Sequence, residues 1–197
     1  MMFDPQPVLL EGRHVRLEPL ELHHLAPLVA VAHEPEIFQW FLTPPLGQPG
    51  EMEKFLNDYF RARAAGTDVG FATVRRSDNR VVGSTRFLDI RRANRGVEIG
   101  ATWLARDAQR TAINTEAKYL MLRHAFESWG AIRVQLKTDE RNERSRAAIA
   151  RLGCKFEGIL RRYQARYDGF VRNTAMFSLV ADEWPAAKVQ LEKFLLR

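Results

Sequence analysis

The sequence predicts an α/β (α+β) fold built on a mixed, mostly antiparallel central sheet. Three observations point to it. Segments such as His14–Leu20 and Ile132–Lys137 alternate polar and apolar side chains, the period of a half-buried strand, while Glu51–Arg63 carries apolar residues at helical spacing. Strand-like stretches at Val69–Val74, Val81–Ile90 and Val97–Leu104 follow one another with only turns between them, so they are expected to pair antiparallel. A helical stretch then separates the Val97 strand from the Ile132 strand, which is the connection a parallel crossover needs.

Taken in order, His14–Leu20 reads as a strand at the first edge of the sheet. Leu22, Leu25, Val29 and Ala32 recur at helical spacing, with Pro27 either in the first turn or kinking the helix and an end near His33–Pro35. Phe38, Trp40 and Phe41 then precede a loop containing Thr43-Pro44-Pro45 and Gly47; they read as core before they read as the lip of a substrate pocket. In the next helix, Met52, Phe55, Leu56, Tyr59 and Phe60 form one apolar stripe and Gly66 is the stop. Ser77-Asp78-Asn79 turns the first hairpin, and Arg91–Gly96 turns into the Val97 strand. Ala105–Ile113 reads as a loop and Asn114–Ser128 as a helix whose buried face is Ala117, Leu120, Met121, His124 and Ala125, ended by Gly130. Asn142–Leu152 is a further helix closed by Gly153. Phe156–Tyr167 and Phe170–Val180 flank Asp168-Gly169 as a hairpin. Val189, Leu191, Phe194 and Leu195 suggest a terminal helix that docks on the body or on a partner subunit, so a homodimer is possible.

Composition bounds the function. The 197 residues, 46% hydrophobic and 27% charged, fit one domain spanning 1–197 with its core at about 10–184 and a short tail helix. The apolar runs fall well short of the roughly 18 residues that span a membrane, and Met1–Leu10 lacks the pattern of a signal peptide, so a cytoplasmic protein is expected. Cys154 is the sole cysteine, and histidines 14, 23, 24, 33 and 124 show no paired ligand spacing, so no metal is expected. The net charge of +6 is concentrated around Arg141, Arg144, Arg146, Arg151, Lys155, Arg161, Arg162 and Arg166. A solvated face explains such a run most simply and an acidic small ligand next; no nucleic-acid motif accompanies it.

The chemistry concentrates in Val97–Ser128. A strand feeding a loop feeding a helix makes an anion site, because the first amides of a helix lack intrahelical partners and sit at the positive end of its dipole. A phosphate-bearing ligand is the natural occupant.

Two segments carry a resemblance. Val97-Glu98-Ile99-Gly100 through Trp103-Leu104, followed by Gln109-Arg110-Thr111-Ala112-Ile113-Asn114-Thr115-Glu116-Ala117, is the first. Asn142-Glu143-Arg144-Ser145 followed by Leu152-Gly153-Cys154 is the second. With the order of elements, they resemble the GNAT N-acetyltransferase superfamily, and most closely its RimJ/RimL-type branch. The resemblance implies a GNAT-like sheet with helices on both faces and acetyl-CoA as cosubstrate, with no metal. Main-chain groups of Trp103 and Leu104 would pair with the pantetheine arm. The amides of Gln109, Arg110, Thr111, Ala112, Ile113, Asn114 and Thr115 would hold the pyrophosphate, and Asn142 would reach the arm. The loop departs from the family pattern, with Ala112 and Asn114 where glycine and a second small residue are usual, which predicts a weaker or reshaped site.

The resemblance also implies an acetyl transfer to a primary amine. Glu98 is the candidate base, working through water or raised by burial, and a strand glutamate paired with an arginine is the structural alternative. Alternation along the strand puts Val97, Ile99, Ala101 and Trp103 on one face and Glu98, Gly100 and Thr102 on the other. Ser145 is the candidate proton donor for the thiolate, since Ile149 stands where many members have a tyrosine; a first-turn structural role beside an Asn142 cap is the competing reading. Cys154 reads as core. A peptide or protein N-terminus is the preferred acceptor, because an α-amine is far easier to deprotonate than a lysine. A small amine such as a polyamine, amino acid or antibiotic is the alternative enzyme reading, and a non-catalytic CoA-binding scaffold the non-enzyme one. Neither nucleic acid nor membrane is an expected partner.

Overall fold

The computed structural model describes residues 3–196. One eight-stranded sheet runs through it, in the spatial order β1-β2-β3-β4-β5-β6-β8-β7. Its strands are β1 (Leu10–Glu11), β2 (Val15–Pro19), β3 (Val69–Arg75), β4 (Arg80–Arg91), β5 (Gly96–Leu104), β6 (Arg133–Asp139), β7 (Lys155–Ala165) and β8 (Val171–Val180). Every neighbouring pair is antiparallel except β5 and β6, which run parallel as the intervening helix requires. The short strand β1 is the edge, so β2 lies second rather than first.

Helices cover both faces. On one lie α3 (Ala112–Arg123), α4 (Glu143–Arg151) and α5 (Trp184–Leu195), packed over Val15, Phe71, Phe87, Val97, Ile99, Val134, Leu136 and Leu179. On the other lie α1 (Leu25–Val31) and α2 (Glu51–Ala64), which enclose a second core of Leu28, Phe38, Met52, Leu56, Tyr59, Ala72 and Trp103. Helix α5 docks on the body: Trp184, Ala187 and Leu191 enter the first core, and Tyr119 on α3 donates its hydroxyl to Glu192 at 2.6 Å.

Several expectations shift. The helix around Pro27 begins as a 3-10 turn at Leu22–His24, and its buried face is Leu28, Val31 and Ala32, leaving Leu22 and Val29 exposed. That rotation follows from the 3-10 turn, whose three-residue repeat breaks the spacing that placed Leu22 with Val29. Helix α3 starts at Ala112, two residues early, because Thr111 caps it by accepting from the Ile113 amide at 3.3 Å. It is buried almost all round, and its last turn, His124–Ser128, is a π-helix before Gly130 at φ +69°. His124 is half-buried, its ring 4.8 Å from that of Trp129. Phe38 is core, whereas Trp40 and Phe41 are only partly covered.

The largest departure is in β5. Alternation breaks at Ala101, which has φ +47°, where the pairing with β4 jumps from Arg86↔Gly100 to Ser84↔Trp103. Two residues of β5, Ala101 and Thr102, therefore oppose the single Thr85, which is a β-bulge. Beyond it the faces exchange. Trp103 turns away from Val97 and Ile99 into the second core, with Phe38 at 5.2 Å between ring centroids, while Thr102 turns toward α3.

Candidate active site

Strands β5 and β6 pair only through Gly96↔Arg133, Val97↔Val134 and Glu98↔Gln135. After that β5 stays with β4 and β6 stays with β8, so the two strands part. The parting leaves the inner edge of Ile99–Leu104 without a strand neighbour, and edge groups of this kind accept an extended chain as an added strand. Helix α3 begins just beyond the end of β5 and α4 just beyond the end of β6, so the positive ends of both helices lie at the open end.

Side chains tie that end together. Gln109 donates through Nε2 to the Leu104 carbonyl at 2.9 Å and accepts through Oε1 from Arg144 on α4 at 2.6 Å. Arg151 of α4 donates to Thr115 Oγ1 on α3 at 3.3 Å. The left-handed residue in the loop is Arg110, at φ +59°, while Ala112 and Asn114 already lie in the helix with negative φ. Neither position therefore needs glycine for its backbone conformation. Thr111 is exposed and also donates to the Ala108 carbonyl at 2.7 Å; Ile113 is 3% exposed and belongs to the core, so only its main chain could serve a ligand. Trp103 and Leu104, at 3% and 7%, likewise offer only main chain.

Glu98 stands at the apex of the parting, on its last shared pair, and is 2% exposed. Its Oε2 accepts from Gln135 Nε2 at 3.0 Å and pairs with Lys137 Nζ at 3.0 Å. The partner is thus a lysine two residues along the neighbouring strand, not an arginine. Gln135 also accepts from Arg91 at 3.0 Å, so the carboxylate belongs to a network across three strands. Sequence reasoning misses Gln135 and Lys137, although their alternation with Val134 and Leu136 already puts them on the face of Glu98.

On α4, Asn142 is the cap: its Oδ1 accepts from the Ser145 amide at 3.0 Å. That engages the Ser145 main chain and leaves its hydroxyl outside the cap. Ile149 packs in the core, and Cys154 is 5% exposed with burial pushing its thiol up to about 12, the opposite of a nucleophile.

The face of β6 and β8 that carries Glu98's partners also holds Asp139 and Arg172, both buried. Burial opposes the charge of Asp139, but hydrogen bonds from Arg141 at 2.9 and 2.7 Å outweigh it and hold the carboxyl below the usual range. The Arg141 guanidinium also lies over the rings of Phe170, 4.2 Å away, and Trp40, 5.3 Å away. The loop before α2 is fastened to the β7–β8 hairpin by Tyr167 N to Leu42 O at 2.8 Å, Arg166 to Gln39 O at 2.7 Å and Arg172 to Trp40 O at 3.3 Å. Those two segments wall the polar floor.

Glu18, His23 and His24 bring ligand-type atoms within 4.8 Å of one another, a grouping invisible in their spacing. His24 Nδ1 accepts from the Glu21 amide at 3.1 Å, which puts the ring proton on Nε2, facing Glu18 at 3.2 Å. The ring is committed to hydrogen bonds rather than offered to a cation. Among the described residues, no helix is long and apolar enough to cross a membrane.

Comparison with known proteins agrees with the geometry. Residues 14–155 match the family model for the acetyltransferase (GNAT) domain. YdaF of Bacillus subtilis (strain 168), provisionally named a ribosomal N-acetyltransferase, is 28% identical over 177 residues, covering 87% of this chain and 92% of YdaF. A GCN5-related N-acetyltransferase from Brucella melitensis is 31% identical with a TM-score of 0.90, over 98% of this chain and 87% of that one. A protein of T. thermophilus, provisionally named an acetyltransferase, is 35% identical with a TM-score of 0.87, over 97% of this chain and 98% of its own. A match over most of the length leaves one conclusion: the chain belongs to the GNAT family of acetyltransferases.

Proposed function

We propose that the protein transfers an acetyl group from acetyl-CoA to a primary amine, with the N-terminus of a peptide or protein as the preferred acceptor. The observation that carries this reading is the parting of β5 from β6 with Glu98 at its apex. Acetyl-CoA bound there supplies an activated thioester. The main chain of Trp103 and Leu104 on the inner edge of β5 holds the arm, Asn142 reaches it, and the amides of Gln109–Thr115, with Arg110 and Arg144 beside them, hold the pyrophosphate. The residues around the split fit such a ligand: an unpaired strand edge, two helix starts and exposed guanidinium groups are what an extended anionic chain requires.

Glu98 takes the proton of the incoming ammonium through water, freeing the nitrogen lone pair that forms the C–N bond. Lys137 and Gln135 hold its carboxylate in place. As the C–S bond breaks, the Ser145 hydroxyl passes a proton to the sulfur, and the second proton of the acylated nitrogen leaves through solvent, from which Ser145 is reprotonated.

The acceptor preference rests on charge. Glu98 is paired with Lys137 and Asp139 with Arg141, so the floor offers no unpaired carboxylate to draw in a polyamine or a polycationic antibiotic. A peptide N-terminus, with one ammonium and a polar backbone, suits such a floor better. Purified protein given acetyl-CoA and a panel of amines should acetylate peptide N-termini with a higher kcat/KM than polyamines. A polyamine outrunning every peptide would overturn the preference. Glu98→Gln should lower kcat by at least about a hundredfold at unchanged acetyl-CoA affinity, and turnover at the parent rate would remove Glu98 from the base role.

A further inference from the structure

Among the described residues, Lys118 is the buried amine that the proposed chemistry leaves without a task. It sits on α3 at 5% exposure and reaches no described carboxylate. Its Nζ donates to Thr102 Oγ1 at 2.5 Å and to Thr85 Oγ1 at 2.8 Å, and these two hydroxyls are themselves 2.8 Å apart. Thr85 and Thr102 are not an arbitrary pair. Thr102 is the second residue of the β5 bulge, and Thr85 is the single residue of β4 that faces it. Thr102 donates its own hydroxyl to the Gly100 carbonyl at 3.3 Å, on the far side of Ala101. One amine therefore joins the two strands at the irregularity, and a hydroxyl carries the link across the left-handed residue.

The donor count fits an uncharged amine. Two N–H groups meet two acceptors, whereas an ammonium would bring a third proton with no partner. Burial alone, with no charged neighbour contributing, holds this amine down to about 7. An apolar side chain of similar length would fill the same space without burying an amine, so on packing grounds lysine is a poor choice here. A residue that costs stability in this way, at the point where a strand changes face beside a ligand edge, is explained by what it holds in place.

We propose that Lys118 is a positioning residue which, by clamping Thr85 to Thr102, fixes the β5 bulge and so aims the main chain of Gly100–Trp103 at the acetyl end of the cosubstrate. The inference rests on the acetyl-CoA reading given above. Lys118 touches no reacting atom; it acts through Thr102. Loss of the clamp leaves the fold standing, because Thr85 and Thr102 still reach each other, but lets the bulge relax.

The test uses the full-length protein and first requires that the parent bind acetyl-CoA by calorimetry and turn over with a peptide amine; if it does not, the functional reading fails and the clamp is not at issue. Given an active parent, Lys118→Met should fold with a Tm no lower than the parent's, whereas Thr102→Val, which leaves one Lys118 N–H without its acceptor, should fold with a modestly lower one. Each should weaken acetyl-CoA binding and lower kcat by about tenfold, with the KM for the amine unchanged. The double variant should be no worse than either single one, since both remove the same link. Thr102→Ser, which keeps the hydroxyl, should restore parent values. Parent-level acetyl-CoA binding and turnover in Lys118→Met would overturn the proposal. So would a fall in the Tm of Lys118→Met that accounts for its loss, a matching rise in the amine KM, or failure of Thr102→Ser to rescue. Should Lys118→Met not fold, Thr102→Val against Thr102→Ser decides alone.

Discussion

Arg144 on α4 donates to Gln109 in the loop before α3 at 2.6 Å, so one side-chain pair bridges the two helix starts that flank the parted strands. The same Gln109 holds the last carbonyl of β5, at Leu104. Strand end, loop and second helix are thereby coupled at the place where the pyrophosphate is proposed to lie.

This bridge predicts a division of effects for Arg144→Ala. The pair is exposed, so its loss should change folding stability by less than about 0.5 kcal/mol. Acetyl-CoA affinity should fall about three- to tenfold, because a cation and the order of the loop are both lost beside an anionic ligand. Calorimetric titration at two salt concentrations checks this, with the larger difference between parent and variant at low salt. An unchanged Kd at low salt would separate the bridge from the ligand site.

Glu116 should matter for stability far more than for activity. Its carboxylate is 5% exposed and accepts from the main-chain amides of Arg13, His14 and Val15 at 2.7, 2.6 and 2.8 Å, pinning the β1–β2 turn to α3. Removing it leaves three donors at a covered site. Glu116→Ala is expected to cost about 3 to 5 kcal/mol, seen as a lower urea midpoint at a similar slope. Glu116→Gln should lie between, since a carbonyl oxygen accepts less strongly than a carboxylate.

These residues also mark what is legible in the sequence. The order of elements, the parallel crossover and the Asp168-Gly169 hairpin follow from local periodicity and turn chemistry, which a linear reading captures. Glu98 and Asn142 stand out because each belongs to a short motif. Ala101 is not readable as a bulge, since an alanine at positive φ is held there by pairing with β4 and by a clamp from α3, not by its own preference. Simple alternation consequently puts Trp103 on the wrong face. Glu116 lies more than a hundred positions from its partners, and Lys118 reads in one dimension as an ordinary helix lysine. Tertiary contacts of that range leave no periodic trace.

Acid should act partly through Glu157. This β7 carboxylate receives Arg133 of β6 at 2.7 and 2.5 Å and the Ser178 hydroxyl of β8 at 2.7 Å, so it ties three strands together. The hydrogen bonds from Arg133, above all, bring its carboxyl down to about 2 from the ordinary 4.5. A folded value below the unfolded one means that the stabilisation is complete above about 4.5 and is lost as pH falls toward 2. The side chain is 38% exposed, so screening leaves less than about 1 kcal/mol. Denaturation midpoints measured from pH 5 to pH 2 should therefore fall slightly less steeply in Glu157→Gln than in the parent. Parallel curves would show that the pair contributes nothing.

Alkali should act in the other direction through Lys118. Its folded value of about 7 lies below the ordinary 10.5, with burial as the cause, so between those limits the unfolded chain binds more protons than the folded one. Stability must then rise with pH across that window, and it levels off below about 7, where both states carry the charge. The groups within reach of the amine are Thr85, Thr102 and, behind Thr85, Met121, none of which titrates in this range. Lys118→Met should remove this contribution to the slope and be the more stable protein at neutral pH, where the parent still carries the cost of keeping the amine uncharged. Urea denaturation at pH 7, 8, 9 and 10 measures both effects. A parent and variant with the same slope would mean that the amine keeps its proton when buried, which would require a third acceptor near Thr85 and Thr102 and would remove the stability cost on which its role as a clamp is argued.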